Sequence, residues 1–344
     1  MIYFNCDYLE GGHPKILEKM MQTNMEQLTG YSTDPYCDSA REKIRRACGR
    51  EDADVRFLVG GTQTNLIAIA SILKPYQGVL AAKDGHIACH ETGAIEATGH
   101  KVLPIPCVDG KITGDEVRQY CKSHDIDTMR EHMVEPGMVY ISYPTEIGTL
   151  YSKEELIDLH NACSECHIPL YIDGARMGYG LMSPAADVTL SDIANLCDMF
   201  YIGGTKCGAI MGEALVILNP ELKEGFRYLI KQHGGLLAKG RFLGLQFDVL
   251  FEDNLYYDIC KKAVDQAISI RRAFEQKGIA VDGDSMTNQQ FPILTHEQME
   301  ALSKKYAYEI WERREDGMTV VRFCTSWATK DENVQALLAD IAAL

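Results

Sequence analysis

The feature that most constrains this chain is a series of short apolar runs, several stopping at a glycine pair or an acid, with helical patterns between them. Val55–Val59 ends at Gly60 and Gly61, and Val79–Ala82, Lys101–Ile105 and Met138–Ser142 follow. Pro169–Ile172 ends at Asp173, Met199–Ile202 ends at Gly203 and Gly204, and Ala214–Leu218 is the seventh run. Before and among these runs the spacing predicts helices over 39–48, with Asp38 as N-cap, over Thr62–Leu73, and over Glu91–Thr98, stopped by Gly99. Asp115–Lys122 is another, and Ser152 with Glu155 three residues on is a capping box for a helix that runs to about Cys166. Strands alternating with helices at this spacing predict an α/β fold, a mostly parallel sheet with helices on both faces.

The pattern changes after Gly244. A long helix is expected over 254–277, strands near Pro292–Thr295, Tyr308–Arg313 and Thr319–Cys324, and a last helix over Glu332–Ala343. A chain of 344 residues exceeds one typical core. The expected division is an N-terminal segment at 1–15, a large α/β domain at 16–245 and a small α+β domain at 246–344.

Charge narrows the function. Forty-nine acidic residues against 34 basic ones leave a net charge of −15, which repels phosphate backbones and anionic lipid, so neither nucleic acid nor a membrane is an expected partner. No apolar run reaches the roughly 18–20 residues that span a bilayer. The opening MIYFNCDYLEGGHP has no basic stretch followed by an apolar one, as a secretory signal would, so a cytoplasmic location with reduced thiols is expected for the 12 cysteines. Cys163 and Cys166 with His167 lie at a zinc-like spacing but close an amphipathic helix and lack a second ligand pair, so no metal is expected there.

Three local motifs carry chemistry. Tyr171–Arg176 (YIDGAR) delivers the carboxylate of Asp173 at the end of an apolar strand, the edge where open α/β sheets bind ligands. Taken alone, such an aspartate more often serves a turn. Tyr201–Gly208 (YIGGTKCG) sets Lys206 among small residues after a strand, where a bulky group can approach the backbone; a plain surface lysine is an equal reading of that stretch alone. Gly60–Asn65 (GGTQTN) joins a strand to a helix, and its amides with the Thr62 hydroxyl can hold a phosphate, though it is neither a Walker loop nor a dinucleotide fingerprint. Together they supply what pyridoxal 5'-phosphate (PLP) needs: a phosphate cradle, a carboxylate for the pyridinium nitrogen and an amine for the aldehyde.

Five stretches in this order resemble the PLP-dependent transferases of fold type I, and within them the low-specificity L-threonine aldolase and β-eliminating lyase group: Gly60–Asn65, Gly85–Ala94 (GHIACHETGA), Pro144–Tyr151 (PTEIGTLY), Tyr171–Arg176 and Gly204–Gly208. The resemblance implies a large, mostly parallel seven-stranded sheet domain with a smaller α+β C-terminal domain. It implies that Lys206 is the Schiff-base lysine, Asp173 the pyridinium partner, and Gly61 and Thr62 the phosphate ligands. His86 matches a histidine that stacks on the ring face and assists proton transfer; the other reading is a core histidine satisfied by backbone. Arg176, beside the cofactor, and Arg322 in Val-Arg-Phe-Cys-Thr-Ser-Trp match residues that hold the substrate carboxylate. Lys231 matches a lysine near the phosphate that reaches in from a partner subunit.

The chain also departs from the group. The usual Arg-Ser-Asp-Thr opening is Asn5-Cys6-Asp7-Tyr8, the Glu-Asn-Thr-His stretch is Ser142-Tyr143-Pro144-Thr145-Glu146, and Ala238-Lys239 replaces an expected arginine. The activity implied is PLP-dependent cleavage of L-threonine or L-allo-threonine to glycine and an aldehyde, with Lys206, His86 and Asp173 catalytic and His90 a second candidate base. A β-eliminating lyase or aminotransferase is the first alternative, and a non-catalytic PLP-binding regulatory protein the second. A homodimer or homotetramer is implied, with sites at the subunit interface and Gly30–Tyr36 as a loop for reaching a neighbour.

Overall fold

The computed structural model describes residues 1–344. Its centre is a seven-stranded sheet in the order Asp54–Leu58, Glu213–Ile217, Met199–Gly203, Leu170–Asp173, Glu135–Ser142, Gln77–Ala82, Lys101–Ile105. All neighbours are parallel except Glu213–Ile217, which runs antiparallel to the strands on both sides. The inner strands read as near-continuous apolar runs because both their faces are buried, whereas the edge strands carry Asp54, Arg56 and Lys101. On Gln77–Ala82, Leu80 and Ala82 join the core on one face, while Val79 and Ala81 join the core on the other. Helices Gly61–Ile72 and Phe226–Gln232 cover the second face; Pro35–Cys48, Gly114–Ile126, Lys153–Glu165 and Arg241–Leu250 cover the first. Each fully buried Leu or Ile in these layers contributes about 1.5–3 kcal/mol.

Two expected elements differ. The first large helix begins a turn early, at Pro35, and its N-cap is Asp34, whose carboxylate accepts from the Tyr36 and Cys37 amides at 3.1 and 3.0 Å; Asp38 lies inside it. Proline at the first helical position costs no hydrogen bond, so Asp-Pro is the stronger start. Residues 91–98 are not one helix. A single helical turn occupies His86–Cys89, and a 3₁₀ turn occupies Glu96–Thr98. Thr92 and Gly93 between them hold φ of 53° and 72°, a left-handed break that no α-helix accommodates. The Ser152 capping box forms as expected, with Glu155 N–H donating to Ser152 Oγ at 3.2 Å and Ser152 N–H to the Glu155 carboxylate at 2.7 Å.

The C-terminal part builds a second, smaller core. Strands Gln289–Gln290, Ile293–Leu294 and Glu309–Arg313 pair antiparallel with Thr319–Cys324, and helices His296–Ser303 and Asp331–Ala343 pack alongside. The helix Leu255–Gln276 joins both cores, with Cys260, Ala263 and Val264 in the large one and Ile270 and Phe274 in the small one. The N-terminus returns to this region: Ile2–Tyr3 pairs parallel with Tyr306–Ala307 and Phe4 is fully buried in the small core. That pairing carries Asp7 and Tyr8 to the edge of the central sheet.

Candidate active site

A cavity of about 540 Å³ opens at the C-terminal ends of the parallel strands, closed from the side by the Thr319–Cys324 sheet. It gathers Gly61, Thr62, His86, Asp173, Arg176, Lys206 and Arg322, all named by the sequence, and leaves out only Lys231. Lys231 is exposed, with its ammonium 5.1 Å from the centre of the Tyr31 ring.

Asp173 and Lys206 reach the cavity from neighbouring parallel strands, in the register Tyr171 to Met199 and Ile172 to Phe200. The turn after Asp173 must be glycine: a Cβ on Gly174 would sit 1.9 Å from the Tyr201 carbonyl oxygen on the lysine's strand. Lys206 is half-buried, and its backbone carbonyl accepts from the Tyr179 hydroxyl at 2.5 Å. The Asp173 carboxylate is 3 % exposed and accepts from Tyr140 Oη at 2.7 Å, Asn65 Nδ2 at 3.0 Å and the Ala175 amide at 2.9 Å. Burial pushes its pKa up, but the His86 ring and hydrogen bonds from Tyr201, Tyr140 and Ala175 outweigh it, so the carboxylate titrates below its ordinary range. Asp173 is therefore a buried fixed anion at neutral pH.

Opposite it, the helix Gly61–Ile72 starts at Gly60 with no side-chain cap. The leading amides of such a helix have no partners inside it and carry its positive dipole end, the arrangement that takes a phosphate. His86 stands at the cavity wall, its Nδ1 2.8 Å from Glu91 Oε1. Glu91 is buried and also accepts from Asn65 Nδ2 at 2.7 Å, so one asparagine ties the His86–Glu91 pair to Asp173. Burial lowers the His86 pKa, yet the Glu91 hydrogen bond and the charges of Glu146 and Asp173 raise it above its ordinary value. The His90 ring lies 5.7 Å from His86, centre to centre.

Neither arginine is a free cation. Arg176 grips Asp7 with two bonds, Nε to Oδ2 at 2.8 Å and Nη2 to Oδ1 at 3.0 Å, both residues buried. Although burial alone raises it, the Asp7 pKa falls to about 2 under the charges of Arg176 and Lys206 and bonds from Arg176 and Asn288. Arg322 donates from Nη1 to Gln289 Oε1 at 2.9 Å and from Nη2 to the Asn5 carbonyl at 3.2 Å and to Glu309, and lies 5.2 Å over the Trp311 ring. Its Nε is buried without a partner. Asp7, Asn65 and Glu309 were not singled out by sequence, and Glu91 was quoted without a role. Asn65 closes the phosphate motif, Glu91 lies five residues after His86, and Asp7 keeps the aspartate of the Arg-Ser-Asp-Thr opening, so all three had a local signal; Glu309 had none.

An amine, a buried anion on the next strand, an imidazole and an uncapped helix N-terminus around one cavity define a PLP enzyme of fold type I. The donor set fits that cofactor at each end: Gly61 and Thr62 for the phosphate, Asp173 for the ring nitrogen and Lys206 for the aldehyde. The family model for beta-eliminating lyase matches residues 4–322, and the chain belongs to that family. It is 45% identical to a Leishmania major threonine aldolase of known structure, with a TM-score of 0.97 over 100% of this chain and 99% of that one. It is 29% identical over 350 residues to the low specificity L-threonine aldolase of Pseudomonas aeruginosa, covering 98% of this chain and 96% of that protein. A Thermus thermophilus aspartate aminotransferase shares the fold, with a TM-score of 0.71 at 15% identity over 100% of this chain and 91% of that one.

Proposed function

We propose that this chain is a PLP-dependent aldolase that cleaves L-threonine or L-allo-threonine to glycine and acetaldehyde. The observation that carries the reading is the His86–Glu91 pair in the wall of the cavity that holds Lys206 and Asp173. A β-hydroxyl needs a proton acceptor there, whereas transamination needs none beyond the lysine. The full-length likeness to threonine aldolases supports it, and favours neither the lyase, the aminotransferase nor the non-catalytic alternative.

When bound, PLP supplies a ring that takes up the electron pair of the broken Cα–Cβ bond. The chain's residues do the rest. Lys206 would hold the cofactor's aldehyde carbon through Nζ. Asp173 keeps a proton on the ring nitrogen. Arg322, with the Nη1 that Asp7 leaves open on Arg176, binds the substrate carboxylate and so turns Cα–Cβ toward His86. Because Glu91 accepts from Nδ1, Nε2 is the basic nitrogen left to take the hydroxyl proton, and Glu91 stabilises the charge that results. Arg176 also fixes the Asp7 segment at the cavity edge.

Lys231 meets the phosphate of a second subunit in a homodimer or homotetramer, a reading supported by its exposure outside the cavity of its own chain. No helix is long and apolar enough to cross a membrane, and the 12 cysteines are free thiols, which suits the cytoplasm. Incubation with L-threonine and with L-allo-threonine tests the activity. An aldolase yields glycine and acetaldehyde in equal amounts; ammonia with a keto acid, or turnover only with added keto acid, would overturn it.

A further inference from the structure

The cavity holds one buried carboxylate that the cleavage does not use. Glu213 opens the antiparallel strand and is 3 % exposed. Its register places it opposite Leu58 on one side and Gly203 on the other. Leu58 lies two residues before Gly60, where the phosphate cradle starts, and Gly203 three before Lys206. Glu213 therefore stands in the sheet between the cradle and the lysine, and its side chain lines the same cavity. Oε2 accepts from the Gly204 amide at 2.9 Å, and the Thr205 hydroxyl, which can donate to the anion or accept from the neutral acid, is the carboxyl's other partner.

The charges around it decide which form it takes. Lys206 and Asp173 face it from the adjoining loop and strand, with the hydroxyls of Tyr201 and Tyr171 nearby. The helix Gly61–Ile72 brings no charged side chain. On Asp54–Leu58 the charged pair Asp54 and Arg56 is bonded to itself and lies opposite Ile217 and Leu215, further down the strand. The two arginines that line the cavity are engaged by Asp7 and Glu309. Burial, opposed by hydrogen bonds and by Lys206, pushes the Glu213 pKa up to about 7. A phosphate on the cradle adds negative charge beside it and favours the neutral acid further.

We propose that Glu213 is a cofactor-binding residue that takes up a proton when a phosphorylated pyridine settles on Gly61 and Thr62, so that affinity for that ligand falls as pH rises through neutrality. The inference rests on the cofactor reading above and adds a titrating residue to it. The probe is 4′-deoxypyridoxine 5′-phosphate, which lacks the aldehyde and cannot bond to Lys206. Calorimetric titration near pH 7.5 in two buffers of different ionisation enthalpy counts the protons taken up. Any proton the ring nitrogen takes from solvent opposite the Asp173 anion is common to both proteins, so the difference between wild type and Glu213→Gln isolates Glu213.

Wild type is expected to take up about half to three-quarters of a proton more than Glu213→Gln, and to lose up to about tenfold more affinity per pH unit above neutrality. Equal uptake and equal slopes in the two proteins would overturn the proposal while leaving the cofactor reading intact. No binding by wild type would overturn both. Should Glu213→Gln fail to fold, infrared difference spectra of wild type decide: a neutral-acid carbonyl band appears on binding if the proposal holds, and its absence refutes it.

Discussion

Replacing Asp7 by asparagine removes the anion that Arg176 grips with two bonds in a site where both side chains are nearly inaccessible. The variant keeps the shape but leaves a buried guanidinium without its counter-charge, a loss of about 3–5 kcal/mol. An independent route gives a similar scale: the Asp7 pKa, drawn from 3.8 to about 2, corresponds to about 2 kcal/mol of charge-dependent stability. Because the folded pKa is depressed, that contribution is full above the ordinary aspartate value and is lost as pH falls toward 2. Thermal unfolding of the cofactor-loaded enzyme is the assay. Asp7→Asn is expected to lower Tm by roughly 4–7 °C near neutral pH. The gap to wild type is expected to narrow by about 1 kcal/mol between about pH 5 and pH 3. The double variant Asp7→Leu with Arg176→Met is expected to recover much of the loss, since an apolar pair of similar volume avoids desolvating charges. A single-variant loss below about 1 kcal/mol, or losses that simply add in the double variant, would refute the assignment.

Lys206→Ala is expected to abolish both turnover and the visible absorbance of bound cofactor, read by spectrophotometry on the purified protein. Glu91→Gln is expected to lower kcat about 10²-fold. Since Glu91 raises the His86 pKa, and His86 must be neutral to accept the proton, the rising acid limb of the kcat profile is expected to move to lower pH in that variant; an unmoved limb would exclude His86 as the titrating base. Arg322→Leu is expected to raise KM for L-threonine by about 10–100-fold, the loss of a charge-assisted hydrogen bond, measured by initial rates. Phe247→Ala, under the large core, is expected to cost about 3–5 kcal/mol without changing KM, checked by urea unfolding and kinetics.

Much of this site was legible because its signals are local. Asp173, Lys206 and Gly61 lie at strand ends, and a run of apolar residues followed by a glycine or an acid marks such an end in the sequence itself. The capping box at Ser152 is equally local, since its two partners are three residues apart. Where local signals compete, reading by spacing fails: Asp38 looked like an N-cap, but Asp34 before Pro35 does that work. The helix read at 91–98 failed because two adjacent residues there take positive φ, a property that helical periodicity does not report.

The sequence by itself determined the layered α/β class and singled out the amine, the anion and the imidazole that line the cavity, because continuous apolar runs and strand-end punctuation depend only on neighbours in the chain. Only the tertiary structure decided what those groups are paired with. Arg176 meets Asp7 across 169 positions, and Asn65 joins Glu91 to Asp173 from a third element. Glu213 acquires its unusual proton affinity from burial between two strands. Charge state and hydrogen-bond partnership follow from distance and desolvation in three dimensions, and neither quantity is written in the order of residues.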